Sequence, residues 1–435
     1  MITNTPVSIS REYNYALDRM EHSKDSLFIT GRAGTGKSTL LGIYRDTTKK
    51  RCVFLAPTGV AALHIRGQTL HSFFAFPPKL ITPQDIVKRK NHRLYKKVEC
   101  IVIDEISMVR VDMIDAIDHF LQKNRDNSLP FGGVQMIFFG DLFQLPPVVA
   151  SAFERQYLQE HYESPYFFSA KALTRLEPQI EMIELHEVYR QKDKKFIRML
   201  DCIRTRTFDI DDLEDINTRV LRDSDDLPDE YITLATRNAV VNKINTTKIQ
   251  LLEGMEYLFV CTILGQFNER NPPAPANLRL RKGAQVMFVK NDQEKRFVNG
   301  TLGIVEALDS NHIMVKIKNE STDEYKYIEV EKSIWEIIRY RYSEKNEKEI
   351  EANVIGTYEQ YPLILAWAVT IHKSQGKTFS NALIDLSGGV FDYGQTYVAL
   401  SRCKTLEGIF LKSPIRPKDV MVDEKIVDFY LMQNR

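Results

Sequence analysis

The sequence predicts an α/β protein made of two parallel-sheet halves, with a small β-barrel inserted in the second and a smaller insertion in the first. Three observations carry this. Short, wholly apolar runs alternate with helical stretches over the first half, the mark of parallel strands covered on both faces. The same alternation restarts near residue 231. Inside that second half, from 281 to 358, the texture changes to regularly spaced β-rich runs joined by turn signals, without a helical period.

In chain order, Ser26–Thr30 (SLFIT) reads as the first strand and Lys37–Lys50 as the helix that follows it. Cys52–Leu55, Cys100–Asp104 and Gln135–Gly140 are the next strands. The stretch 66–80, which contains RGQTLHSFFAFPP, interrupts this sheet and is expected to protrude. In the second half, Tyr231–Ala235, Ala366–Thr370, Asn381–Leu386 and Gly408–Leu411 read as strands and Tyr397–Lys404 as a helix. Within the barrel, AQVMFVKND, TLGIVEAL, HIMVKIK and YKYIEV are separated by turns such as Asn299-Gly300. The expected boundaries are 1–177 for the first domain, 178–280 with 359–435 for the second, and 281–358 for the barrel.

With 435 residues, 43% hydrophobic and 27% charged, the chain can bury several cores, which excludes a disordered or collagen-like protein. Lys+Arg number 59 and Asp+Glu 58, a net charge of +1 that still allows a basic groove beside acidic faces. Five dispersed cysteines without a CxxC pair exclude a disulfide scaffold and argue against a zinc ribbon or iron–sulfur site. The first twenty residues show neither an apolar core nor an Arg-rich pattern, and the most apolar run, Leu363 to Val369, is too short to span a bilayer. The expectation is a soluble cytoplasmic protein with no membrane partner.

Gly31-Arg32-Ala33-Gly34-Thr35-Gly36-Lys37-Ser38 fits GxxxxGK[ST] between an apolar strand and a helix, where backbone N–H groups and a helix N-terminus can cradle phosphate. Gly31, Ala33, Gly34, Thr35, Gly36, Ser38 and Thr39 are therefore expected to surround the nucleotide. Lys37 would neutralise the β- and γ-phosphates, and the Ser38 hydroxyl would ligate Mg²⁺. Asp104 and Glu105 end an apolar strand: Asp104 can hold the metal, and Glu105 can orient and deprotonate water, which favours hydrolysis over phosphoryl transfer to a substrate. An NKxD-type guanine reader is absent. Leu386-Ser387-Gly388-Gly389-Val390 imitates a transporter signature but has Val in place of Gln, and reads as coincidence.

Gln144, in GDLFQLPP, follows a strand and could reach the γ-phosphate, or simply occupy a turn. Arg190 and Arg402 could stabilise transition-state charge from a neighbouring domain, though each alone reads better as a surface ion pair. Together these segments arrive in order: GRAGTGKST at 31–39, APTGVAA at 56–62, TLHSFF at 69–74, IDEISM at 103–108, GDLFQLPPV at 140–148, VYRQ at 188–191, AVTIHKSQGKTF at 368–379 and YVALSRC at 397–403. In this the chain resembles the superfamily 1B DNA helicases of the petite-integration-frequency family, over nearly its whole length and as a minimal, bacterial- or phage-type core.

The resemblance implies two RecA-like domains, an SH3-like inserted barrel, and ATP-driven 5′-to-3′ translocation on single-stranded DNA. The implied partners are tailed or forked duplexes, with G-quadruplexes and RNA–DNA hybrids as further substrates in genome maintenance, for a monomeric, nucleoid-associated core. It also implies roles for particular residues. Lys37, Gln144, Arg190 and Arg402 would contact the γ-phosphate from both halves. Pro57, Thr58, Gly59 and His71, with Thr236, Arg237, Thr370, His372, Lys373 and Ser374, would contact DNA. Gly376, beside Gln375, would link the nucleotide and DNA sites. Tyr13 stands where such helicases often carry an adenine-reading Gln. Phe73, Phe74 and Phe76 are expected in the core, with strand separation as the alternative. The basic run Lys88–Lys97 is expected to be a solvated helix face, with duplex-phosphate binding as the alternative, and Lys282, Lys290, Lys295 and Arg296 are candidates for DNA contact from the barrel. A RecD-like helicase, and an ATP-dependent nucleic-acid-binding switch without unwinding, are the competing readings.

Overall fold

The computed structural model describes residues 10–90, 92–222, 227–228, 230–267, 272–292, 294–318, 324–342 and 350–433. Residues 1–9, and Asn91 of the basic run, lie outside them. Two parallel sheets form the frame. The first has six strands in the order Gln68–Thr69, Cys52–Ala56, Cys100–Ile103, Gln135–Phe139, Leu27–Gly31, Glu181–Leu185. Its central strands are fully buried because helices cover both faces, so each reads as an unbroken apolar run. The second sheet has four strands: Ala368–Thr370, Ile232–Ala235, Ala382–Asp385 and Ile409–Leu411.

Several expectations are corrected. Glu181–Leu185 pairs with Leu27–Gly31, so the first sheet runs past the boundary expected at 177. The C-terminal helix Glu424–Gln433, expected in the second domain, packs Ile426 and Tyr430 into the first domain's core. The 66–80 stretch does not protrude. Gln68–Thr69 adds an edge strand, the helix Leu70–Phe74 follows, and Phe73, Phe74 and Phe76 are all buried against Phe120 and Tyr95. Burial of these rings leaves none of them free to wedge a duplex apart. The helix expected from Tyr397 begins earlier and spans Gln395–Leu400. In the basic run, Lys88 and Lys96 pair with Asp126, and Arg89 donates to the Phe74 and Ala75 carbonyls.

The inserted β region is larger than the expected 281–358. Its strands begin at Tyr257 and end at Leu365. Asn277–Leu280 pairs with Tyr257–Val260, and a five-stranded antiparallel sheet holds the barrel core. A long hairpin, Ser333–Tyr342 with Ile350–Gln360, forms a third sheet with Thr262–Gly265. This arm reaches back to the first domain. Tyr340 is buried there edge-on to Phe73, its hydroxyl accepts from the Phe54 N–H (3.2 Å), and its own N–H donates to Gln68 Oε1 (3.2 Å). Lys290 and Arg296, candidates for DNA contact, are engaged within the insertion. Lys290 donates to the Ile334 carbonyl, and Arg296 pairs with Asp292. Among the described residues no helix is long and apolar enough to cross a membrane.

Candidate nucleotide and nucleic-acid sites

Every expected phosphate-site segment of the first half leaves the C-terminal edge of one sheet, where an open α/β fold forms its crevice. The strand Leu27–Gly31 turns into the phosphate loop, Cys100–Ile103 delivers Asp104 and Glu105, and Gln135–Phe139 delivers Gly140 and Asp141. The helix Lys37–Thr47 begins at Gly36, which is left-handed (φ 80°), and a Cβ there would come within 1.9 Å of the Tyr13 hydroxyl. Tyr13 closes over the loop, donating to the Thr35 carbonyl (3.1 Å). Burial first, then Tyr189 and nearby carboxylates, push its pKa up to about 12.

A cleft of about 1070 Å³ opens between the two halves and the insertion. Ala33, Gly34, Gly36, Lys37, Ser38, Thr39, Asp104, Glu105, Gln144, Arg190, Gly376 and Arg402 all line it. Lys37 Nζ donates to the carbonyls of Gly31 (2.6 Å) and Arg32 (3.0 Å), and burial lowers its pKa against the pull of Asp141 and Glu105. Burial raises the carboxyls of Asp104, to about 6, and Glu105, to about 7; the Asp104 charge adds to the rise at Glu105. Gln375, from the second half, donates from Nε2 to Glu105 Oε2 (3.2 Å) and to Gln144 Oε1 (3.4 Å). Arg190 Nη1 donates to the Ser401 carbonyl (3.0 Å). Arg402 is buried, donates to the Val398 carbonyl (2.8 Å), and is pushed down to about 9 by burial and by Arg190. Two desolvated guanidinium groups beside a lysine make a site for a highly charged anion.

A second set of residues, not foreseen from sequence, fastens the halves together at this cleft, which Ala33 and Asp141 also line. Tyr397, on the helix Gln395–Leu400, accepts from the Ala33 N–H of the phosphate loop (2.9 Å) and donates to Asp141 Oδ2 (3.3 Å). Asp141 also pairs with Arg204 (3.0 Å), both nearly inaccessible, and Arg204 stacks over Phe143 (4.3 Å). Burial opposes the Asp141 charge, but Arg204 and Lys37 outweigh it and hold its pKa below the usual carboxylate range. Asp141→Ala leaves the buried Arg204 with Glu184, 4.0 Å away, in place of its close partner, which costs about 3 kcal/mol, the low end for a broken buried pair. The expected result is a melting temperature lower by roughly 10 °C, with Asp141→Asn falling between; equal melting of Asp141→Ala and the parent would show the pair contributes nothing.

The expected DNA contacts sort differently. Thr58 caps the helix Gly59–His64, Pro57 and Gly59 lie at the same strand end, and His71 stays partly accessible on its short helix. In the second half, Thr236 and Arg237 follow the strand Ile232–Ala235, and His372 and Lys373 lie on the helix Ile371–Ser374. Thr370 and Ser374 are turned inward: Thr370 Oγ1 accepts from the Lys373 N–H (3.2 Å), and Ser374 Oγ donates to the Ile371 carbonyl (2.7 Å). Their hydroxyls serve that helix, as the Thr58 hydroxyl serves its own by accepting from the Ala61 N–H (3.2 Å).

Comparison with known proteins places this arrangement. Residues 10–212 match the model described as PIF1-like helicase, and 268–308 match that of the DNA helicase Pif1 2B domain. The ATP-dependent DNA helicase Pif1 of Bdellovibrio bacteriovorus is 32% identical across 98% of this chain and 92% of its own length. The chain belongs to the PIF1-like helicase family. It spans 63% of the length of the ATP-dependent DNA helicase PIF1 of Emericella nidulans, at 31% identity. A crystal structure of Bacteroides sp Pif1 with ADP-AlF4 superposes with a TM-score of 0.90, at 38% identity over 98% of this chain and 97% of that one. Bacteroides Pif1 bound to ssDNA, also 38% identical, gives 0.69 over 98% of this chain and 96% of that one. The 2B-domain match at 268–308 falls inside the β-rich region that interrupts the second half.

Proposed function

We propose that this chain hydrolyses ATP in the interdomain cleft and uses the cycle to move 5′ to 3′ along single-stranded DNA, separating tailed or forked duplexes. The enzyme class, an ATP-dependent DNA helicase, follows from membership of the family. The observation that carries the coupling is Gln375: one side chain of the second half touches both Glu105 and Gln144 of the first. Groups that read the γ-phosphate therefore come from both halves, so its presence favours closure and its loss favours opening.

In this reading Lys37 holds the β- and γ-phosphates, and Glu105 orients the attacking water and receives its proton. Gln144 senses the γ-phosphate, while Arg190 and Arg402 stabilise the charge that develops on the transferred group. Ser38 and Asp104 are hard oxygen donors beside the loop, a set that suits Mg²⁺. Bound there, the ion neutralises phosphate charge. Pro57, Thr58, Gly59 and His71 on one half, and Thr236, Arg237, His372 and Lys373 on the other, hold the strand alternately as the halves approach and part. A monomeric core suffices, since one chain supplies both walls of the cleft, and its substrate places it with the chromosome. G-quadruplexes and RNA–DNA hybrids extend the substrate range.

The test is ATP-dependent opening of two matched partial duplexes, one with a 5′ single-stranded tail and one with a 3′ tail. The 5′-tailed duplex alone should open. Opening of only the 3′-tailed one would overturn the polarity, and DNA-stimulated hydrolysis without opening of either would favour an ATP-dependent binding switch.

A further inference from the structure

The loop between the strand Ala382–Asp385 and the helix Gln395–Leu400 contains the Leu386–Val390 stretch that sequence reading set aside. It is built with unusual care for a surface loop. Ser387 donates through N–H (2.9 Å) and hydroxyl (2.5 Å) to Asp385 Oδ1. Gly388 lets the loop lie on Thr236, because a Cβ there would come within 2.7 Å of the Thr236 hydroxyl oxygen. The Phe391 N–H donates to Oε1 of the fully buried Gln395 (3.2 Å). All this anchoring presents a phenylalanine ring that is 48% exposed.

The ring's neighbours are the residues expected to meet DNA. The Arg237 guanidinium carbon lies 5.5 Å from its centroid, and Arg237 Nε is fixed by the Gly388 carbonyl (2.8 Å). The His372 imidazole lies nearly parallel to it, at 14° and 6.2 Å, with Nε2 3.5 Å from Asp392 Oδ2. The Thr236 hydroxyl beneath the loop is buried and has no hydrogen-bond partner among the described residues. A rigidly held aromatic face next to cationic and hydroxyl groups matches what an unpaired nucleotide offers, a π-face joined to a phosphate.

We propose that Phe391 is the base-stacking platform of the second half, gripping one base of the single strand while Arg237 and His372 hold the adjoining backbone. This rests on the reading of the chain as a translocase on single-stranded DNA and adds a contact to the base itself. Stacking of this kind is blind to sequence, since every base has a π-face. It gives the second half a handhold that phosphate contacts alone do not provide.

The experiment measures binding of the full chain to a dye-labelled thymidine oligonucleotide and to the same backbone carrying abasic tetrahydrofuran sites. The parent protein should prefer the thymidine strand. Phe391→Ala should shrink that preference roughly tenfold, by losing affinity for thymidine and not for the abasic strand, and Phe391→Trp should restore it. An unchanged preference in Phe391→Ala would overturn the proposal, as would equal losses on both strands, which mark a packing role. A parent protein that binds neither strand would overturn both this proposal and the translocase reading, whereas tight binding with an unaltered preference overturns this proposal alone.

Discussion

Lys37→Ala should abolish ATP hydrolysis, by at least about 10³-fold, while leaving the fold in place. Among the described residues the lysine donates to two loop carbonyls, those of Gly31 and Arg32, and water can replace it there. Its energetic weight lies in the charge. Burial makes the ammonium costly in the nucleotide-free chain, so it gains most when phosphate arrives, and alanine removes that gain. The check is steady-state turnover with saturating DNA, beside a melting curve. Near-normal turnover would overturn the assignment of the nucleotide site.

Arg402→Ala should separate binding from chemistry. ATP affinity should fall only a few-fold, because the phosphate loop remains, whereas hydrolysis should drop by about 10³–10⁵. The guanidinium is buried and opposed by Arg190, with Glu105 facing it, so an anion in the cleft relieves a repulsion already built into the fold. Arg402 also donates to the Ser374 and Lys377 carbonyls and to Ser401 Oγ. Arg402→Lys therefore provides a control that keeps a cation while losing the fork. If ATP binding held and only DNA affinity changed in either variant, the role assigned to this arginine would be wrong.

What sequence could deliver here followed contiguity. The phosphate loop, the acids at 104–105 and the apolar strands are each contained in a few consecutive residues, and the period of two or of a fully buried run reveals them. The struts that join the halves are invisible by the same logic. Ala33 and Tyr397 are 364 residues apart, and Asp141 and Arg204 are 63 apart, so only the fold makes them neighbours. The insertion extends beyond its expected bounds because strands such as Asn277–Leu280 are only four residues long, so their alternation, with Asn277 and Arg279 outward, is too brief to stand out. Phe73, Phe74 and Phe76 are legible as core, and their mutual edge and stacked contacts show the packing that such a run of rings makes. The local bonds of Thr370 and Ser374 were equally illegible, since a hydroxyl in a DNA-contact string and one that bonds its own helix look alike in sequence.

The hairpin arm turns the inserted domain into something closer to a latch than a hinge. A ring such as that of Tyr340, seated in another domain's interior, has no stable half-way position: withdrawn by an ångström or two it leaves a gap that neither side can fill. Its hydroxyl is bonded to the strand Cys52–Ala56, which leads directly into Pro57–Gly59, so the seat of the latch adjoins the start of the first half's DNA-contact segment. Unseating the arm would therefore be felt along that strand, and a drift in the insertion's angle would not.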